Sequence, residues 1–375
     1  MQQKKKIGRN DLCHCGSGKK YKKCHLDRQS QPELSAGEII GMMSQHRGAR
    51  LCFHASCDAI NCSGKIIEAH TVSKSGSLRK IARNGKVYHF KPDIATIFKN
   101  KGKLLIREIG VGDASTFPGF CAHHDKQLFA PIEDQDFIST QRTTCLLGYR
   151  SITKEIHAKE KALSAIPTMR NIDKGKSIRR QVFTQDFLDA YKTGTEYGLR
   201  DSYRIKEQYD RAFIANNFSN TKYLVIQFTE NPHLLFSGCI YPEFDFHGNI
   251  LQKLGTSDVL DGISVNAIAT PKGGAVVFQW CEKSEINEKL ISSLLKIPKN
   301  NLANVITQFV FESFENLFMA PIWWDSLLPE YKKALESKVS CGASALQLHS
   351  AHCFLPDGNK YFEWDAPVIE TNLNS

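Results

Sequence analysis

No apolar run in this chain is long enough to cross a bilayer as a helix, so the sequence supplies no helical membrane span. The opening MQQKKKIGRN is basic but lacks the apolar segment of an export signal, and a cytoplasmic location is expected. There is no G-x-x-x-x-G-K-[ST] phosphate loop and no G-x-S-x-G nucleophile elbow, which removes P-loop nucleotide hydrolysis and α/β-hydrolase chemistry. Self-similarity at the roughly 20–50-residue periods of solenoids and propellers is missing too. Disulfides are not expected either: twelve cysteines without an export signal read as reduced thiols and metal ligands.

What is present suits a folded protein of more than one domain. The chain has 375 residues, 41% of them hydrophobic and 10% aromatic, enough for sizeable cores. Its net charge of +10 is uneven. Residues 1–28 hold nine Lys/Arg against Asp11 and Asp27, and residues 150–180 hold nine against Glu155, Glu160 and Asp173. Clustered positive charge of this kind suits DNA or RNA phosphates, or simply solvated faces.

The most distinctive stretch is GRNDLCHCGSGKKYKKCH, residues 8–25. Cys13, Cys15, Cys24 and His25 lie among lysines, glycines and serines, with almost nothing apolar to bury them. Three thiolates and an imidazole are a donor set that zinc accepts in a closed tetrahedral site, where the metal takes the place of a core. These residues resemble the SEC-C motif, a zinc-binding tail of the preprotein translocase ATPase. The match runs through Gly8 to Asp11, the four ligands, Gly16 to Lys20, Tyr21 and Lys22, with Leu12 in place of the usual proline. The resemblance implies an accessory zinc module that docks on a protein partner or, in some proteins, the ribosome.

A second Cys/His-rich region follows. Cys57-x4-Cys62 has the spacing of a zinc knuckle, although Cys52-x4-Cys57 has it too and spacing alone does not separate them. Further on, Cys121-x-x-His124 opens a helical pattern, so that a turn and a helix start would together make a treble-clef-like zinc site. Between the halves, KIIEAHTV places His70 at the end of an apolar strand.

A knuckle, a strand histidine and C-x-x-[CH] on a helix resemble the HNH, or ββα-metal, endonucleases. That resemblance implies His70 as the general base and Cys57, Cys62, Cys121 and His124 as structural zinc ligands. Asp125 stands where the helix usually offers a ligand to a catalytic Mg2+ or Mn2+ ion. Ser115 or Thr116 falls where the family has an asparagine, and this departure puts the orientation of His70 in question. The alternative for His70 is that it ligates the same zinc or satisfies a buried backbone group. Cys145, Cys239, Cys281, Cys341 and Cys353, single among apolar neighbours, are expected in cores.

The expected fold class is α+β. Its parts are a zinc motif over 1–28, a flexible linker over 29–49 and a treble-clef or HNH-like module over 50–143. A helical hairpin over 144–220 and an antiparallel-sheet domain over 221–375 complete it. KYLVIQFTE, HLLFSGCIYPEFDF, ISVNAIAT and AVVFQWC read as strands, the last two joined by Pro271-Lys272-Gly273-Gly274. INEKLISSLLK, LANVITQFVFESFENLFM and PEYKKALESK read as helices, and Thr184 as the cap of the second hairpin helix. Trp323 and Trp324 are expected in the core, and Glu312 and Glu315 on a solvated helix face. Two functions stay open: a metal-dependent nuclease, or a non-catalytic two-zinc adaptor for a protein, the ribosome or nucleic acid.

Overall fold

The computed structural model describes residues 7–46, 48–57, 60–90, 104–342, 350–351, 354–364 and 366–373, and Cys353 lies outside them. The fold is α+β, and the chain forms two compact units. One joins residues 1–48 to 159–198, and the other joins 49–158 to 199–375. No helix among the described residues is long and apolar enough to cross a membrane.

In the first unit the zinc motif is followed by α1 (Ala36–Ser44), so residues 29–49, expected as a flexible linker, carry a helix. Its start is a capping box: the Ser35 hydroxyl accepts from the Glu38 N–H, and the Glu38 carboxylate accepts from the Ser35 N–H. The other half of the unit comes from two long helices, whose remaining turns belong to the second unit, and the turn between them. These helices follow α2 (Ala122–Glu133) in the chain and are α3 (Gln141–Met169) and α4 (Ile178–Ile214). Helix α4 begins well before Thr184, which therefore sits inside it and is not its cap. Pro167 lies in the last turn of α3, where a proline interrupts helical bonding, and a 3-10 turn over Arg170–Asp173 follows. Gly175 has φ +72°, and a Cβ there would stand 2.8 Å from the Gln31 carbonyl oxygen and the Glu33 nitrogen. Only glycine allows the two stretches to approach so closely.

The second unit holds an eight-stranded antiparallel sheet. In chain order its strands are β2 (Lys86–Phe90), β3 (Ile106–Gly110), β5 (Thr221–Gln227), β6 (Leu234–Ile240), β7 (Ile263–Thr270), β8 (Gly273–Cys281), β9 (Leu317–Met319) and β10 (Val368–Thr371). Their order across the sheet is β10-β5-β8-β7-β6-β9-β2-β3. β1 (Ile66–His70) and β4 (Thr116–Cys121) pair separately.

The alternation of side chains along a strand assigns the faces of the central strands. Leu224, Ile226, Val276, Phe278 and Trp280 enter the main core with α5 (Glu285–Leu295) and α6 (Leu302–Ser313). Val225, Ala275 and Val277 pack instead with Leu147 of α3. With both faces covered, every residue of β8 is buried, which explains an apolar run broken only by Gln279, whose Oε1 accepts from the Tyr209 hydroxyl.

LANVITQFVFESFENLFM divides in two. Helix α6 ends at Ser313, and Leu317–Met319 forms β9 between β6 and β2. The helix is buried on every side through Phe311, so its period carries no solvent face. Glu312 is half-buried near its end, and Glu315 is exposed in the turn that leads to the strand, not on a helix face. Two further helices, α7 (Pro321–Ser326) and α8 (Pro329–Gly342), follow, and Trp323 and Trp324 are both buried. Cys145, Cys239 and Cys281 are buried as expected, whereas Cys341 is half-exposed.

Phe309 lies at the centre of the main core with no exposed surface, in ring contact with Phe246, Phe278, Phe314 and Phe354. Phe309→Ala is expected to destabilise the second unit by about 3–5 kcal/mol, measured from the shift in its urea unfolding midpoint.

Candidate metal centres

The N-terminal centre is held by a short two-sided frame. The backbones of Leu12 and Lys20 bridge, Cys13 donates to the Lys19 carbonyl at 2.8 Å, and Tyr21 donates to that of Asp11 at 2.8 Å. Gly16 and Gly18, both at φ +69°, turn the chain between them. A 3-10 turn over Tyr21–Lys23 then delivers Cys24 and His25 to Cys13 and Cys15. The four donor atoms lie within 4.8 Å of one another. His25 Nδ1 is 3.1 Å from Cys13 Sγ and 3.2 Å from Cys24 Sγ, and the thiols of Cys15 and Cys24 are 3.5 Å apart. With Zn–S near 2.3 Å and Zn–N near 2.0 Å, a tetrahedral site sets its donors roughly 3.5–3.8 Å apart, so this set can hold zinc after a slight opening.

The other ring nitrogen of His25 is engaged as well. Nε2 donates to Asp173 Oδ2 at 3.0 Å, which leaves the Nδ1 lone pair facing the thiols. Asp173 is only 1% exposed, and it also accepts from Arg28 Nε at 2.5 Å and Gln185 Nε2 at 2.7 Å. The Arg170 guanidinium donates to the Cys15 carbonyl at 3.1 Å. Sequence reading misses Asp173, Arg28 and Arg170, because no local pattern ties residues so far apart.

The second centre gathers Cys52, Cys62, Cys121 and His124, again with all donor atoms within 4.8 Å of one another. Cys52, not Cys57, joins Cys62 in this group. Cys57 is exposed, with its thiol near enough to interact with those of Cys62 and Cys52. His124 Nδ1 is 3.4 Å from the sulfurs of both Cys52 and Cys121. The frame is the β1–β4 pair followed by α2, and Ile66 stands opposite Cys121 in the register. Cys121 caps α2, its sulfur accepting from the His124 N–H at 3.4 Å, while Cys52 Sγ accepts from the Cys121 N–H at 3.4 Å. The His54 ring stacks on His124 with centroids 4.0 Å apart.

Burial opposes ionisation of these thiols and pushes Cys13 and Cys52 up to about 12. At Cys15 it is outweighed by hydrogen bonds from the Ser17 side chain and backbone and from Cys24, and the thiol falls to about 7. At Cys121 the His124 N–H and Ser63 outweigh it in the same way, and the value falls to about 6. Uptake of a metal would displace the remaining thiol protons.

His70 and Asp125 occupy the strand and the helix of the same β1–β4–α2 unit, but both have other partners. His70 Nε2 donates to the Val111 carbonyl at 3.1 Å, and burial lowers its basicity, with the charges of Arg150 and Lys74 acting in the same direction. Asp125 faces Arg150, with Oδ1 3.5 Å from Nη2. Arg150 is 1% exposed, lies over the Phe129 ring at 3.8 Å and donates to Glu133 Oε1 at 2.7 Å. Burial raises the Asp125 carboxyl despite that guanidinium. Ser115, near the position of the family asparagine, has φ +62° and is turned inward, its hydroxyl bonded to the Thr71 hydroxyl and the Val72 N–H. Thr116 pairs with His70 across the two strands.

Comparison with known proteins agrees with the first centre and stops there. The SEC-C motif family matches residues 9–27. The chain is similar to the protein translocase subunit SecA of Ruthia magnifica subsp. Calyptogena magnifica, 79% identical over 25 residues, which are 7% of this chain and 3% of that protein. It is 95% identical over 20 residues to SecA of Syntrophomonas wolfei, covering 5% of this chain and 2% of the relative. For SecA of Legionella pneumophila (strain Corby) the identity is 79% over 24 residues, 6% and 3% of the two chains. No solved structure matches the chain. The chain thus spans only about 3% of the length of these relatives, and what it shares with them is a SEC-C segment bearing a Cys/His set that can bind zinc.

Proposed function

We propose that this protein is a non-catalytic two-zinc adaptor whose first unit docks on an acidic surface of a protein partner. The observation that carries the reading is where the charge sits. All of the first basic run and most of the second belong to one unit: residues 1–48 and 159–198 together hold eighteen Lys/Arg against nine Asp/Glu, so nearly all of the +10 lies there. Lys19, Lys20, Lys22 and Lys23 of the SEC-C segment are exposed. Such a field steers association with anionic surfaces. The second centre serves as the internal brace of the β1–β4–α2 unit.

The nuclease reading has one observation in its favour, the strand–strand–helix order that places His70 on β1 and Asp125 on α2. Against it stands Arg150, a permanent cation beside the carboxylate that would have to attract Mg2+ or Mn2+.

Purified protein is expected to contain two zinc ions per chain by elemental analysis, and Cys24→Ser is expected to lower the count to one. Wild-type protein incubated with plasmid DNA and with RNA in Mg2+ or Mn2+ is expected to cleave neither. Metal-dependent cleavage that His70→Ala abolishes, with zinc retained, would replace the adaptor reading with the nuclease. Tight DNA or RNA binding without cleavage, weakening steeply with salt, would move the partner from protein to nucleic acid.

A further inference from the structure

We propose that Asp173 is the outer carboxylate of the N-terminal metal centre. It is a positioning residue that fixes His25 with Nδ1 toward the metal and makes the turn after α3 part of that centre. The zinc segment would then be one half of a site whose other half is donated by residues 159–198, and not a tail free of the rest of the chain. The inference rests on zinc occupying Cys13, Cys15, Cys24 and His25.

Three features of the contact carry it. A ligating imidazole must present one nitrogen as a lone pair, and the partner of its other nitrogen decides which tautomer it adopts. Here that partner is a carboxylate that cannot donate, so Nε2 must carry the proton and Nδ1 must face the sulfurs. Asp173 is also out of water: it and His25 are 1% and 4% exposed, so the bond is not exchanged for hydration. Finally, the clasp is multiple and involves ligands or their backbone. Arg28, three residues beyond His25, donates to Asp173 and to the Arg170 carbonyl at 2.8 Å. Arg170 in turn donates to the carbonyl of the ligand Cys15. Gly175 donates to the Arg28 carbonyl at 3.0 Å, and His46 and Thr168 bond side chain to side chain at 2.8 Å. Loss of an outer partner of a metal-bound histidine typically weakens metal binding by about 10–100-fold.

The test is zinc competition against a chelator of known affinity on full-length wild type, Asp173→Asn and Arg28→Gln, with Cys24→Ser marking which ion is which. In Asp173→Asn the N-terminal zinc is expected to bind about 10–100-fold more weakly and the second zinc as in wild type. Arg28→Gln, which keeps the Asp173–His25 bond, is expected to hold that zinc within a few-fold of wild type. Equal losses in the two variants would mean general loosening and overturn the positioning role, as would unchanged affinity in Asp173→Asn. A second measurement needs no variant: hydrogen exchange of wild type after the N-terminal zinc alone is withdrawn. Faster exchange is expected within 159–198 as well as 1–48, and faster exchange confined to 1–48 would refute the shared site. A wild type with no zinc on the Cys13, Cys15, Cys24 and His25 set would overturn the zinc reading itself.

Discussion

A carboxylate out of water has to be paired, and in the first unit everything near the zinc segment converges on that requirement at Asp173. His25, Arg28 and Gln185 all donate to it. Arg28 and Gln185 offset the cost of holding that charge out of water, while His25 links it to the donor set. The packed core of the segment itself is only Cys13, Cys15 and Tyr21, with Cys24 and Leu26 beside them. With so little apolar surface, cohesion must come from the four donors and from the polar clasp to residues 159–198.

The second unit solves its problem by conventional means. A sheet covered on both faces, with α5 and α6 on one side and α3 on the other, carries most of the buried apolar surface. The Cys52, Cys62, Cys121 and His124 group lies beside the short β1–β4 pair, in a unit that already has a core. Its neighbourhood also bears on chemistry. Where an ββα-metal nuclease needs a carboxylate open to a divalent ion, Asp125 has a buried guanidinium pinned by Phe129 and Glu133. The fixed cation faces the carboxylate at 3.5 Å as an ion pair without a hydrogen bond to Oδ1.

How legible was this in the residues alone? The first donor set was readable outright, because a C-x-C-x8-CH run in polar sequence has no packing explanation. The four sheet strands of the last third were visible in apolar runs, although HLLFSGCIYPEFDF is strand only as far as Ile240, and of the expected Pro271-Lys272-Gly273-Gly274 turn the two glycines pair within the strands. The helix–strand break after Ser313 was not visible, since the helix before it is buried on every side through Phe311 and has no solvent face to carry a period. In the second centre, Cys52 and Cys57 share one spacing relation, and only the path of the chain, which hands the Cys121 N–H to the Cys52 sulfur, distinguishes them.

The sequence by itself determined that this is an α+β protein with a Cys/His set able to bind a metal in its SEC-C segment, because ligand spacing, capping residues and apolar runs act over a few residues. Tertiary structure alone decided that residues 1–48 share a unit with 159–198, that Asp173 faces His25, and that Arg150 faces Asp125. Each of those pairings joins groups with no fixed separation along the chain. Which aspartate meets which histidine is set by where the helices and turns come to rest, and by the cost of leaving either one buried without a partner.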